Sequence, residues 1–196
     1  MFGFDVGVTL DMLYLFQNPF RISRKFLEKK GESDIHQYGE TPDSTMHWIC
    51  INAGLYMHDH FFELGAGRGK AALFVADFFG CDVTAIEQIP EFVRKAKLVN
   101  KMFSLGVHFR CEDYLESDLS KATIIYLFGT CLTEEQIKKL CTKFLPKQKI
   151  ISISYPLSDY DARYKITAKF PVEYPFGKTD AYINVLVNSD RDKGAL

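Results

Sequence analysis

With 196 residues, 47% of them hydrophobic, the chain is long enough for one α/β domain with a substantial core and a short extension. A net charge of −1 and a pI near 6.5 give no overall basic field, so a nucleic-acid partner is unlike the bulk charge and needs a local patch. No apolar run approaches the ~18 residues of a membrane span, Met1–Asp5 lacks the basic opening of a secretory leader, and five cysteines (Cys50, Cys81, Cys111, Cys131, Cys141) form no CxxC pair. The expectation is a cytoplasmic protein with reduced, structural thiols and no membrane partner.

In chain order, residues 1–40 read as a helical extension ahead of the main domain at 41–196. Asp11–Phe16 is apolar and predicted helical; Asn18-Pro19 then supplies a cap and a first-turn proline for a second helix that Gly31 stops. This helix carries Arg21, Arg24, Lys25, Lys29 and Lys30, a cluster read first as a solvated face. After Tyr38-Gly39-Glu40, Thr41 is expected to cap and Pro42 to begin a helix with Met46, Ile49, Cys50 and Ala53 inward, closed by Gly54. A loop and helix placed just before the first strand can fold back over whatever that strand presents, bringing Glu40 and Thr41 to a ligand.

That strand leads into Phe61-Phe62-Glu63-Leu64-Gly65-Ala66-Gly67-Arg68-Gly69-Lys70, followed by Ala71, Ala72, Leu73, Val75 and Ala76. The order is strand, tight glycine loop, helix, which is a nucleotide-type ligand site. A phosphate-binding P-loop needs Gly at 64 and Ser or Thr at 71, where Leu64 and Ala71 stand. The dinucleotide spacing GxGxxG is weakened as well, because Gly69 follows Gly67 by two residues rather than three. Cys81–Glu87 reads as a second strand ending in an acid suited to two ribose hydroxyls, with Gln88 next to it. A helix from Pro90 carries Phe92, Ala96, Val99 and Phe103 on one face, and Val107–Cys111 is the third strand, ending at Glu112-Asp113-Tyr114-Leu115. Ala122–Phe128 is a continuous apolar run fit for a central parallel strand, and Thr133-Glu134-Glu135-Gln136 is a capping box. Lys149–Tyr155 is the fifth strand; Lys165–Val172 and Ala181–Val187 form a terminal antiparallel pair joined through Pro175 and Gly177. The alternation predicts a doubly wound, Rossmann-like α/β sheet of seven strands with its ligand over the carboxyl ends of strands one to four.

The spacing Glu63-x-Gly65-x-Gly67-x-Gly69 resembles motif I of the seven-strand S-adenosylmethionine-dependent methyltransferases. With Tyr38-Gly39-Glu40-Thr41, Glu87, Glu112–Leu115 and Ile150-Ile151-Ser152, residues 38–160 are most similar to the histone and protein lysine methyltransferases of the telomeric-silencing type. The resemblance implies S-adenosylmethionine as cofactor and S-adenosylhomocysteine as product. It implies that Glu40 and Thr41 close over the methionine end, that Glu63, Gly65, Ala66, Gly67 and Gly69 carry the backbone, that Glu87 and Gln88 hold ribose, and that Asp113 and Tyr114 hold adenine. Strand four departs from the lysine enzymes: their Asn-Asn-Phe is replaced by Tyr126-Leu127-Phe128-Gly129-Thr130, and no Asn/Asp-Pro-Pro-aromatic motif occurs either. Phe128, Thr130 and Tyr155, with Pro156, Tyr174 or Phe176, are the expected surroundings of the transferred methyl.

The acceptor implied is a nitrogen, first a protein lysine, with a small molecule, RNA or a binding module without turnover as alternatives. A lysine at pH 7 is neutral in only about one side chain in 2,500, equivalent to roughly 4.6 kcal/mol, which a desolvating aromatic wall lowers. No metal is expected: His58-Asp59-His60 precedes a buried strand without further ligands at zinc spacing. Lys138, Lys139, Lys143, Lys147 and Lys149 read as a solvated face and turn.

Overall fold

The computed structural model describes residues 5–32 and 34–187. Met1–Phe4 and positions 188–196, which the sequence places in the extension and at the end of the main domain, lie outside them.

Seven strands form one sheet: β1 (His60–Leu64), β2 (Asp82–Ile86), β3 (His108–Arg110), β4 (Ile124–Leu127), β5 (Lys149–Ile153), β6 (Tyr164–Tyr174) and β7 (Gly177–Leu186). Their order is β3-β2-β1-β4-β5-β7-β6. The first five pair in parallel, whereas β7 runs antiparallel to both β5 and β6. Strand order therefore reverses between β1 and β4, and the carboxyl ends of β1, β2, β3 and β4 share one edge, which is where open α/β sheets bind ligands. Strand β4 is buried along its whole length, as a central parallel strand must be.

Helices α1 (Val6–Met12), α2 (Pro19–Lys30), α3 (Asp43–Ala53), α4 (Lys70–Phe79), α5 (Pro90–Phe103) and α6 (Glu134–Lys143) cover the sheet. On α4 the small residues Ala71, Ala72, Leu73, Val75 and Ala76 are all buried, and α6 carries the complete Thr133–Gln136 capping box. Asn18 caps α2 through Phe20 N–H, and Gly31 ends it in a left-handed conformation.

Three local expectations are corrected. The first helix lies at Val6–Met12 rather than Asp11–Phe16, because Asp5 accepts the Val8 N–H and starts it earlier. Residues 13–17 continue as turns that leave Leu15 and Phe16 in solvent. Thr41 does not cap α3, and Pro42 is the cap residue instead of the first helical one; the Thr41 hydroxyl is bound elsewhere. The last two strands are longer than their apolar runs suggest, since Tyr174 already pairs with Gly177 across a two-residue turn.

The α1 side chains Val6 and Leu10, with Tyr14, belong to the same buried cluster as Phe61, Phe92 and Tyr126. Lys95 on α5 ties that segment down by donating to Leu13 O at 2.9 Å and lying 4.0 Å from the Tyr14 ring centre. No helix among the described residues is long and apolar enough to cross a membrane.

Candidate functional site

The loop after β1 is held by its own amides. Gly65 and Ala66 both donate to Ile86 O at 2.9 Å, and Gly67 N–H donates to Glu87 Oε2 at 2.8 Å. Two of its glycines serve different needs. At Gly67 φ is +54° and a Cβ would stand 3.0 Å from the Tyr38 ring, so the loop lies open only to a flat or slender neighbour. At Gly69 φ is +78° and a Cβ would fall 2.6 Å from Phe109 and 3.1 Å from the Ala96 methyl. Gly69 is required for α4 to pack, and it does not line the cleft.

Glu63, the last residue but one of β1, is fully buried, and its Oε2 has no hydrogen-bond partner among the described residues. Burial raises its carboxyl to about 8, with the Ala72 N–H pulling the other way and Glu87 and Glu40 adding to the rise. Glu87 is likewise raised by burial to about 7, against the N–H groups of Ile89 and Gly67 that its two oxygens accept at 2.7 and 2.8 Å. Each oxygen keeps a lone pair for one further donor. In the unfolded chain Glu63 ionises near 4.5, so between that pH and about 8 the folded state binds more protons and stability falls as pH rises. Glu63→Gln, always neutral, is expected to gain on the wild type from about pH 5 to pH 8, by on the order of a few kcal/mol. Equal differences in thermal midpoint at both pH values would contradict the burial of this charge.

Glu40 and Thr41 do reach the same place. Thr41 shares a buried hydrogen bond with the Tyr126 hydroxyl (2.7 Å), which in turn meets the Tyr174 hydroxyl (2.9 Å). Glu40 is gripped by Arg68, whose Nε and Nη2 donate to its two oxygens at 2.5 and 2.8 Å, and by the Tyr38 hydroxyl. Burial alone would raise the Glu40 carboxyl, but the Arg68 and Tyr38 hydrogen bonds outweigh it and hold it low. Arg68 also donates to Asp11 Oδ1 at 2.9 Å and lies over the Tyr14 ring, 4.8 Å from its centre. Sequence reasoning missed Arg68. The available signal was a cation inside a glycine loop with acids at 11 and 40 upstream.

At the end of β4, Phe128 stacks on Tyr174 (4.7 Å between ring centres, 14° between planes) and on Phe176 (6.0 Å, 10°). Two spaces meet at Phe128 and Gly65. One is a narrow inner cavity lined by Glu40, Thr41, Glu63, Ala66 and Arg68; the other is an outer cleft of about 280 Å³ bordered by Gly67, Glu87, Gln88, Tyr114, Thr130 and Phe176. Gly69, Asp113 and Tyr155, and of the further aromatic and proline candidates Pro156 and Tyr174, line neither. Asp113 turns Oδ1 onto Leu115 N–H, Gly69 faces Phe109, and the Tyr155 hydroxyl donates to Gly129 O at 3.2 Å. His60 meets the Thr84 hydroxyl and Asp59 accepts from Thr123, so the His58–His60 stretch is engaged in holding the strand ends. Among the described residues no group of three His, Cys, Asp or Glu side chains is placed to hold a metal.

No family model and no curated protein matches the chain. Solved structures do. An RNA methyltransferase from Salinibacter ruber in complex with S-adenosyl-L-homocysteine superposes with a TM-score of 0.63 at 22% identity, covering 79% of this chain and 98% of that one. The fold is that of the seven-stranded methyltransferases. The tRNA methyltransferase TrmK of B. subtilis gives 0.60 at 13% identity, over 76% and 68% of the two chains. A variant of MtNAS in complex with S-adenosylmethionine gives 0.59 at 14% identity, over 94% and 84%. In this methyltransferase fold the glycine loop, Glu63, Glu87 and Phe128 stand at the carboxyl ends of β1, β2 and β4.

Proposed function

We propose that the chain is an S-adenosylmethionine-dependent methyltransferase directed at a nitrogen, acting in the cytoplasm, with residues 1–40 as a helical extension of the catalytic domain. The observation that carries this is the orphaned Glu63 Oε2 in the inner cavity, at one end of a continuous run of acceptors and open backbone that ends at Glu87. A buried carboxylate lacking a partner fits an α-ammonium, and Glu87, with a lone pair left on each oxygen, fits two ribose hydroxyls. Glu40 and Thr41 would stand at the amino-acid end, and Tyr114 and Gln88 at the nucleoside end.

When bound, S-adenosylmethionine supplies a methyl group made electrophilic by its sulfonium. The chain's contribution is alignment and exclusion of water. Gly65 and Gly67 admit the ligand to the backbone, Arg68 holds Glu40 in place, and Phe128 separates inner cavity from outer cleft, so an acceptor nitrogen has to arrive beside it. Thr130 at the outer rim is the one hydroxyl from the β4 end available to orient that nitrogen. The resemblance around Tyr38–Thr41 offers a protein lysine as one acceptor, whose amine the aromatic faces of Phe128 and Phe176 would desolvate. The RNA substrates named for two similar structures put a nucleic acid beside it.

Glu87→Ala is expected to weaken S-adenosylhomocysteine binding by about 1.5–3 kcal/mol through lost charge-assisted hydrogen bonds, read by calorimetry. Turnover itself is tested with methyl-labelled S-adenosylmethionine and a lysate separated into protein, RNA and small-molecule fractions. Label in one fraction, absent with the Glu87 variant, supports the enzyme. Cofactor binding with no label in any fraction would leave a binding module instead.

A further inference from the structure

Accepting the methyl-transfer reading above, we propose that the acceptor is a base of a single-stranded nucleic acid, lying flat on the Phe128–Tyr174–Phe176 stack while its backbone passes over the α1–α2 turn. The three rings are close to parallel, with Tyr174 and Phe176 5.1 Å apart at 12°. Phe128 and Phe176, which line the cleft, make a platform rather than the walls of a channel, with the buried Tyr174 backing them, and Phe176, 67% exposed, extends it to the mouth of the cleft. A platform of ring faces suits another flat ring, because every base has a π-face to stack.

The charges around the cleft point the same way. Among the described residues its one lining carboxylate is Glu87, already engaged by two backbone N–H groups at the far end; Asp34 stands near Cys131 at the rim, with Oδ1 accepting the His36 N–H. Among the described residues the outer cleft offers no carboxylate except Glu87 to take a lysine's proton, and His36 is the one imidazole that lines it; in the inner cavity Glu40 is held by Arg68 and Glu63 is assigned to the cofactor's ammonium. A ring nitrogen of a nucleobase is uncharged at neutral pH and keeps its lone pair in the ring plane. Its lone pair forms the N–CH3 bond as the CH3–S bond breaks with both electrons going to sulfur; the positive charge passes to the base.

A path for the strand leads out of the cleft. Tyr38, on the cleft wall, meets Phe20 edge-on at 5.1 Å, and Phe20 borders a shallow concavity of about 900 Å³ with Phe16, Arg21 and Lys25. Phe16 is 99% exposed and Phe20 61%. Arg21, Lys25 and Lys29 recur at four-residue spacing on α2, about 6 Å apart along its axis, and make no salt bridge among the described residues, whereas Arg24 pairs with Glu28. Glu91 also borders the concavity, but Lys95 neutralises it at 3.6 Å. Aromatic side chains interleaved with unpaired cations are what a single strand, with its bases and phosphates, engages. The net charge of −1 conceals this patch.

The test uses the full chain and a labelled mixed-sequence RNA of roughly 20 nucleotides, longer than one such site, by fluorescence anisotropy over a salt series. The expected result is binding that weakens with salt. Arg21→Ala with Lys25→Ala should flatten the slope of log K against log salt by about 1.4, at ~0.7 per phosphate contact. Phe176→Ala should weaken binding about tenfold without changing the slope. Each sample is also titrated with S-adenosylhomocysteine, so loss of the cofactor reading is seen separately from loss of RNA binding. Absence of RNA binding at low salt, or binding that neither variant alters, would overturn the proposal, as would methyl label on a lysine peptide and none on RNA.

Discussion

Arg68→Ala is expected to cost about 3–5 kcal/mol of stability, the penalty for removing one partner of a buried ion pair and leaving the other uncompensated. The Arg68 side chain is 8% exposed, and three groups depend on it: Glu40 through two hydrogen bonds, Asp11 through one, and the Tyr14 ring beneath it. Asp11 is mostly in solvent and contributes little, so the loss comes chiefly from Glu40. For a chain of this size the thermal midpoint should fall by about 6–20 °C. Adding Glu40→Ala should restore part of the loss, because the stranded carboxylate is then gone. Additive losses in this double-mutant cycle would mean that Arg68 acts by packing alone. A second readout follows from geometry, since Glu40 and Tyr38 border the inner cavity and outer cleft: S-adenosylhomocysteine affinity should fall in Arg68→Ala even well below its midpoint.

Gly67→Arg should remove detectable cofactor binding while leaving a folded chain. Gly67 lines the outer cleft, its φ is positive and a Cβ would stand 3.0 Å from the Tyr38 ring, so a long side chain here has to displace Tyr38 or fill the cleft. Gly69→Val should do the opposite. Its Cβ would strike Phe109 and Ala96 in the packed layer between α4, α5 and β3, so the chain loses stability before it loses a ligand contact. Circular dichroism and calorimetry on the pair separate a glycine kept for a ligand from one kept for packing. A folded Gly67→Arg variant with unchanged affinity would remove the glycine loop from the site.

The contrast between these glycines shows what the sequence made legible. Period and punctuation located all seven strands, because apolar runs such as Ile124–Leu127 and the caps at Asn18 and Thr133 act locally. Acids at 63 and 87 could be placed because one is the last residue but one of β1 and the other directly follows β2, strands whose direction is fixed. Gly69 looked like part of the ligand loop since spacing does not record which face a missing side chain opens. Arg68 was invisible for a related reason: its partners lie 28 and 57 residues upstream, and only the fold brings Asp11, Glu40 and Tyr14 together around it. Tyr155 was expected at the site from its place after β5, but Gly129 lacks a side chain and its carbonyl captures the phenol. The aromatic platform assembles Phe128 with two rings from the terminal hairpin, a contact across 46 and 48 residues that no local pattern encodes.

The central claim, that the glycine loop with Glu63 and Glu87 forms a site for S-adenosylmethionine, is tested most directly by calorimetric titration of the purified chain with S-adenosylhomocysteine, with NAD as control. Saturable binding of S-adenosylhomocysteine that Gly67→Arg abolishes, and no binding of NAD, is the result predicted. Binding of NAD alone would contradict it and return the loop to the dinucleotide class.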